Sequence, residues 1–103
     1  MVLHRLELDG SEVRVRLATL VAVARAETPD TDWEVIAECV ERPPVGPGRV
    51  AVDMVCITGA DPEGHPVLGR YSGPAVVVRI VDRTLVLRGD GQLAGLTVDQ
   101  LQG

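Results

Sequence analysis

The sequence predicts an all-β domain, a small antiparallel meander of seven to eight strands closed as a barrel or folded as a sandwich. Three observations carry this expectation. Turn signals dense in Gly, Pro and Asp recur about every ten residues, Val dominates the apolar residues, and Trp33 and Tyr71 are the only aromatic side chains. Such a composition suits strands filled by aliphatic packing. The 103 residues fit one domain, 1–103, with no internal repeat or linker, burying roughly 65% of its unfolded surface.

The first hairpin is the clearest element. Residues 2–8 alternate, Asp9-Gly10 is a two-residue turn signal, and Val13 to Leu17 alternate again. A regular register sets Leu8 opposite Ser11, Leu6 opposite Val13 and Val2 opposite Leu17, giving one apolar face that also takes His4 as a core histidine. The opposite face carries Arg5, Glu7, Glu12, Arg14 and Arg16, and it should be wet. Within 17–27 the polar alternation stops at Ala18, which predicts either a strand buried on both faces or a short Ala-rich helix.

Residues 31–42 also read two ways. Trp33, Ile36, Ala37 and Val40 form a helical stripe behind a Thr31/Glu34 capping box, whereas in a strand Trp33, Val35, Ala37 and Cys39 share a face. The β-branched content and the Pro/Gly loop at 43–48 favour the strand. Strands follow at 49–58, 65–72, 75–81, 84–88 and 93–96, separated by turns at 59–64, Gly73-Pro74, Asp82-Arg83 and Asp90-Gly91. Residues 97–102 make a capped helical turn or a tail.

The net charge is −5 and all ten basic residues are Arg, with Lys and Asn absent, the coding bias of a GC-rich genome. Without a basic cluster, neither nucleic acid nor a membrane surface is expected as a partner. The charged residues within 1–8 do not suit a signal peptide and no apolar run spans a bilayer, so a cytoplasmic location is expected. Cys39 and Cys56 lack metal-ligand spacing and stand in apolar runs. Free buried thiols are the expectation and a disulfide the minor alternative.

Phosphate-binding glycine loops, HExxH, GxSxG and Cys/His ligand sets are missing, so no cofactor and no metal are expected. The remaining candidates are polar residues among apolar ones. Asp53 shares a strand face with Ala51, Val55 and Ile57, and a carboxylate desolvated there suits a general base, unless the position is an edge. His65 follows a turn where it can assist proton transfer, or be merely solvated. Tyr71 and Arg70 can orient a substrate oxyanion or carboxylate, or Tyr71 can be a packing residue. Trp33 offers a stacking wall, with Glu34 and Glu38 as paired carboxylates that otherwise face water.

The hairpin around Asp82-Arg83 speaks to assembly. A regular register pairs Ile80 with Leu85 and Val78 with Leu87, beside Val76, as a purely aliphatic inner face. The other face mixes Val77, Arg79, Val81, Val86 and Arg88, the mixture that protein interfaces favour. Val77, Arg79, Val86 and Arg88 are therefore the candidate interface. The leading expectation is a non-enzymatic binding and assembly module, a homodimer or other homo-oligomer, with a protein or small molecule as a further partner. The alternative is a cofactor-independent cyclase, isomerase or small-ligand carrier with a pocket in the barrel mouth, resting on Asp53, His65 and Tyr71.

Overall fold

The computed structural model describes residues 1–24 and 31–95, and the expected turn at 97–102 lies outside them. Seven strands form: β1 (Val2–Leu8), β2 (Ser11–Val13), β3 (Val15–Ala24), β4 (Thr31–Cys39), β5 (Gly48–Ala60), β6 (Pro66–Val81) and β7 (Thr84–Gly89). Six of them close into an antiparallel barrel in the order β1-β3-β4-β7-β6-β5, with β5 returning to β1. The short β2 pairs with the C-terminal half of β1 on the edge that β3 takes further along. Among the described residues no helix is long and apolar enough to cross a membrane. In place of the expected strand at 93–96, Ala94 makes an isolated bridge to Ser72.

Both ambiguous segments are strands. Residues 31–39 bury Trp33, Val35, Ala37 and Cys39 on one side, as the strand reading expected. In β3 neither expected state occurs: Ala18 and Leu20 are buried while Leu17, Val21 and Val23 stand exposed on the other side. The apolar run is a strand covered on one face only.

The turns at Asp9-Gly10 and Asp82-Arg83 are where the sequence placed them, whereas Gly73-Pro74 makes no turn: both residues pair with β5 inside β6, so the expected strands 65–72 and 75–81 are one. Asp9 and Asp82 both adopt positive φ, 51° and 54°, the left-handed conformation that Asp tolerates better than most residues and that two-residue hairpins require. Leu8 faces Ser11 and Leu6 faces Val13 as expected. Further along, bulges overturn the regular register. One at His4, between Leu3 and Arg5, buries Leu3 and Leu6 and leaves His4 and Val2 on the surface, with Val2 opposite Thr19 rather than Leu17. Another at Arg16 turns Leu17 outward.

The bulge with most consequence lies in β6. Val77 pairs with Leu87 and Arg79 with Val86, leaving Val78 as the extra residue. Tyr71, Ala75 and Val77 must all point inward, and so must Ile80 beside Leu85. Positions 77 and 80 differ in parity, so strict alternation cannot bury both, and one inserted residue reconciles them. Val77 is therefore 3% exposed, a core residue and not an interface residue, while Val78 is 49% exposed and is not core.

Cross-strand partners followed once around from Leu68 run through Ile57, Val2, Thr19, Ile36 and Val86 and return to β6 at Arg79. That displacement, from 68 to 79 with the bulge residue between, is the stagger that tilts strands in a closed barrel. Six strands enclose less space than the eight whose side chains just fill a barrel. Leu6, Leu20, Leu85, Leu87, Val35 and Val52 occupy it almost without solvent contact, and no polar or charged residue is buried among the described residues.

The bulge gives a paired expectation. Leu87→Asp should abolish cooperative unfolding, because a charge forced into this core costs several kcal/mol against a total of about 5–15. Val78→Asp should melt within a few degrees of the parent, since its side chain stays in water. Thermal melts followed by circular dichroism decide between this register and a regular one, in which the Val78 variant would unfold as well.

Candidate functional site

With the interior filled, the chemistry-bearing side chains lie on the outer wall. Asp53 is exposed, and its face-mates Ala51, Val55 and Ile57 are exposed or half-buried. That apolar run faces outward, so Asp53 is a solvated surface carboxylate and not the desolvated base expected. Its cross-strand neighbours are Glu7 on β1 and Ser72 on β6. Arg5 and Arg70 flank these three through Val55, and together with Gly95 they line a half-open groove of about 460 Å³. The Arg5 guanidinium donates to Glu7 at 3.2 Å and lies 3.5 Å from Glu12.

The groove thus unites Asp53 and Arg70, two of the expected residues. Tyr71 borders it from inside, 2% exposed. A Cβ on Gly69 would stand 2.8 Å from the Tyr71 hydroxyl, and one on Gly95 3.0 Å from its ring. Glycine at both places is what lets the ring lie against the wall, so Tyr71 is a packing residue. Two guanidinium groups and two carboxylates can hold a small polar molecule by ion pairs. They hold it in water, where such pairs are weak.

His65 does not join them. It follows the β5–β6 turn, about 20 Å along the strand from Asp53 at roughly 3.3 Å per residue. There Asp61 Oδ1 accepts the backbone N–H groups of Glu63 and His65 at 3.0 and 2.8 Å, and His65 Nδ1 lies 3.3 Å from Asp61 Oδ2. Asp61 serves to shape the turn, and the imidazole stands in solvent.

Trp33 and Glu38 lie on opposite sides of β4 and form no common site. The indole is 3% exposed and its Nε1 donates to the Gly91 carbonyl at 2.9 Å. It lies so close over Gly89 that any side chain there would overlap the ring. Glu38 is exposed between Leu17 and Thr84. Beside Trp33 a second half-open groove of about 320 Å³ is bounded by Val21, Val23, Glu34 and Arg88.

That groove opens on a continuous outer face across β3, β4, β7 and β6, whose register gives three rows. Val21, Glu34, Arg88 and Val76 form the first; Thr19, Ile36, Val86 and Arg79 the second; Leu17, Glu38, Thr84 and Val81 the third. Arg79, Val86 and Arg88, expected at an interface, all belong to it; Val77 points inward beneath it. Leu17, Val21, Val23, Ile36 and Val78 were not expected there. For Leu17, Val21 and Val23 the signal was present in the largely apolar run of β3, which alternation rules read as covered on both sides.

A closed six-stranded antiparallel barrel with a solid aliphatic core and an apolar outer face is the class of protein that these features define. Scans against protein-family models, curated proteins and solved structures each find no match to this chain.

The two thiols are free and buried, as expected. Burial disfavours the thiolate, pushing Cys56 up to about 11 against a slight opposing pull from the N-terminal ammonium, and raising Cys39 as well. A thiol protonated longer in the folded than in the unfolded chain contributes stability that is whole below about pH 9 and is lost as pH rises toward 11. At pH 8 the native protein should leave both thiols unreactive toward a disulfide reagent, with full reaction in denaturant. Stability should decline between pH 9 and 11. Rapid labelling of two thiols in the native state would contradict this packing.

Proposed function

We propose that this barrel is a non-enzymatic binding and assembly module that works as a homodimer, joined through the outer face of β3, β4, β7 and β6. Strand β3 carries the reading. Leu17, Val21 and Val23 are 57–59% exposed although the opposite side of their strand is already core. A strand apolar on both sides is the pattern of one covered on both sides, and the described residues of one chain cover only one. Ile36, Val78 and Val81, each about half exposed, continue the patch, and Arg79 and Arg88 interleave with it.

The size of the patch sets the strength of the contact. Four strands about 4.8 Å apart and seven residues of about 3.4 Å give roughly 450 Å². That matches the largest patches on ordinary monomers, which often serve binding. It falls below the ~800 Å² per partner of a standard interface, so the dimer is weak and reversible. The free thiols suit the reducing cytoplasm, and the reading needs no cofactor. The wall groove at Asp53 and Arg70 supports a small-ligand carrier as the second reading; an exposed Asp53 and a buried Tyr71 do not support a cyclase or isomerase.

Val21→Thr, Ile36→Thr and Val86→Thr together keep β-branched side chains while removing apolar contact. Light scattering across a concentration series should show the parent rising toward twice the monomer mass and the triple variant remaining monomeric, both with native circular dichroism. A parent that stays monomeric at millimolar concentration would sink the proposal.

A further inference from the structure

The outer face is not only apolar but divided by charge. Among the described residues of its three rows, the acids Glu34 and Glu38 lie on β4 and the bases Arg88 and Arg79 on β7 and β6, with the exposed bulge residue Arg16 on β3 the one base outside this division. Glu34 and Arg88 are cross-strand partners, yet among the described residues neither has an ion-pair partner within 4.0 Å. The acidic and basic halves meet at the central pair Ile36 and Val86.

We infer that two copies pack face to face about a two-fold axis parallel to the strands and passing between β4 and β7, so that Glu34 of each copy pairs with Arg88 of the other. This inference rests on the homodimer reading above and adds its geometry. Two packed sheets keep their strands nearly aligned, and a two-fold interface must be self-complementary. Only two axis directions satisfy both conditions on this face, along the strands and across them, and both are taken through its centre at the Ile36–Val86 pair.

With the axis along the strands, β4 lies over β7 of the partner and β3 over its β6. Glu34 then meets Arg88, Ile36 meets Val86, Val21 meets Val76 and Leu17 meets Val81. Val21 and Leu17 of β3 each find an aliphatic residue, and the acid meets the base twice. With the axis across the strands through the Ile36–Val86 row, β4 lies over β4 and the rows invert. Glu34 then faces Glu38 twice, with Arg88 opposite Thr84. Like charges brought together in an interface oppose association and unlike charges favour it, so the charge division selects the first arrangement. Convex barrel walls touch most closely along their central strands, which places the Glu34 and Arg88 pairs where they count. The charges choose the orientation; the aliphatic rows supply most of the attraction.

The test uses two variants of the full chain. Glu34→Arg sets Arg against Arg in its own dimer, and Arg88→Glu sets Glu against Glu, so each alone should dissociate at least tenfold more readily than the parent. Mixed in equal amounts, the two restore both opposite-charge contacts, and the mixture should regain the parent's dimer mass and close to its dissociation constant in sedimentation equilibrium. Circular dichroism checks that each variant is folded.

Should either variant fail to fold, chains carrying Glu34→Cys and Arg88→Cys give a second measurement. Under mild oxidation the mixture should form disulfide-linked dimers faster than either chain alone, with the native cysteines buried and silent. A dimeric parent whose variants do not rescue one another, and whose cysteine chains do not cross-link preferentially in the mixture, overturns the arrangement but leaves the homodimer standing. A monomeric parent removes the homodimer itself.

Discussion

Leu3, Leu6 and Leu8 of β1 meet Cys56, Met54 and Val52 of β5 across the seam that closes the sheet, and the rest of the structure depends on that contact. All six side chains are buried. Closure satisfies the backbone groups that two open edges would leave bare. It also encloses a space too narrow for anything but side chains, which the aliphatic residues fill. A barrel built this way has no lumen in which to bind, so whatever the protein recognises must meet its outer wall.

Closure also explains why the wall looks as it does. A long strand bent around a small barrel must keep the right residues inward along its whole length, and strict alternation fails over such distances. The extra residues at His4, Arg16 and Val78 each reset the parity. Each reset has an outward consequence: Val2, Leu17 and Val78 leave the core side and stand exposed. The apolar outer face is thus produced partly by the register shifts that pack the interior.

Those shifts mark the limit of what the sequence alone discloses. The hairpins at Asp9-Gly10 and Asp82-Arg83 were legible because positive φ and a two-residue loop are local demands with a local signature. So were the inward side of β4 and the all-β class. The bulge at Val78 was not, because Ala75, Val76, Val77 and Val78 are all apolar and offer no period from which register can be read. Asp53 misled for a related reason. Its apolar face-mates imply a core only if apolar faces always turn inward, and on this barrel Ala51, Val55 and Ile57 line the wall. Of the candidate site, Asp53 and Arg70 do line one groove, on the outer wall and not in the barrel mouth, and Arg79, Val86 and Arg88 share one face that excludes Val77. Arg5 and Glu7 entered the groove only through the β1–β5 seam, a long-range pairing that no local pattern encodes.

The central claim is that the bare side of β3 and β4 is covered when the protein is at work. Solvent accessibility of individual methyl groups, read by NMR with a soluble paramagnetic agent, measures this directly. At high protein concentration the Val21, Ile36 and Val86 methyls should be shielded and become accessible on dilution, while Val67 and Leu68, exposed near the β5–β6 turn, stay accessible throughout. Methyls of Val21 and Ile36 as open as those of Val67 and Leu68 at every concentration would contradict the account.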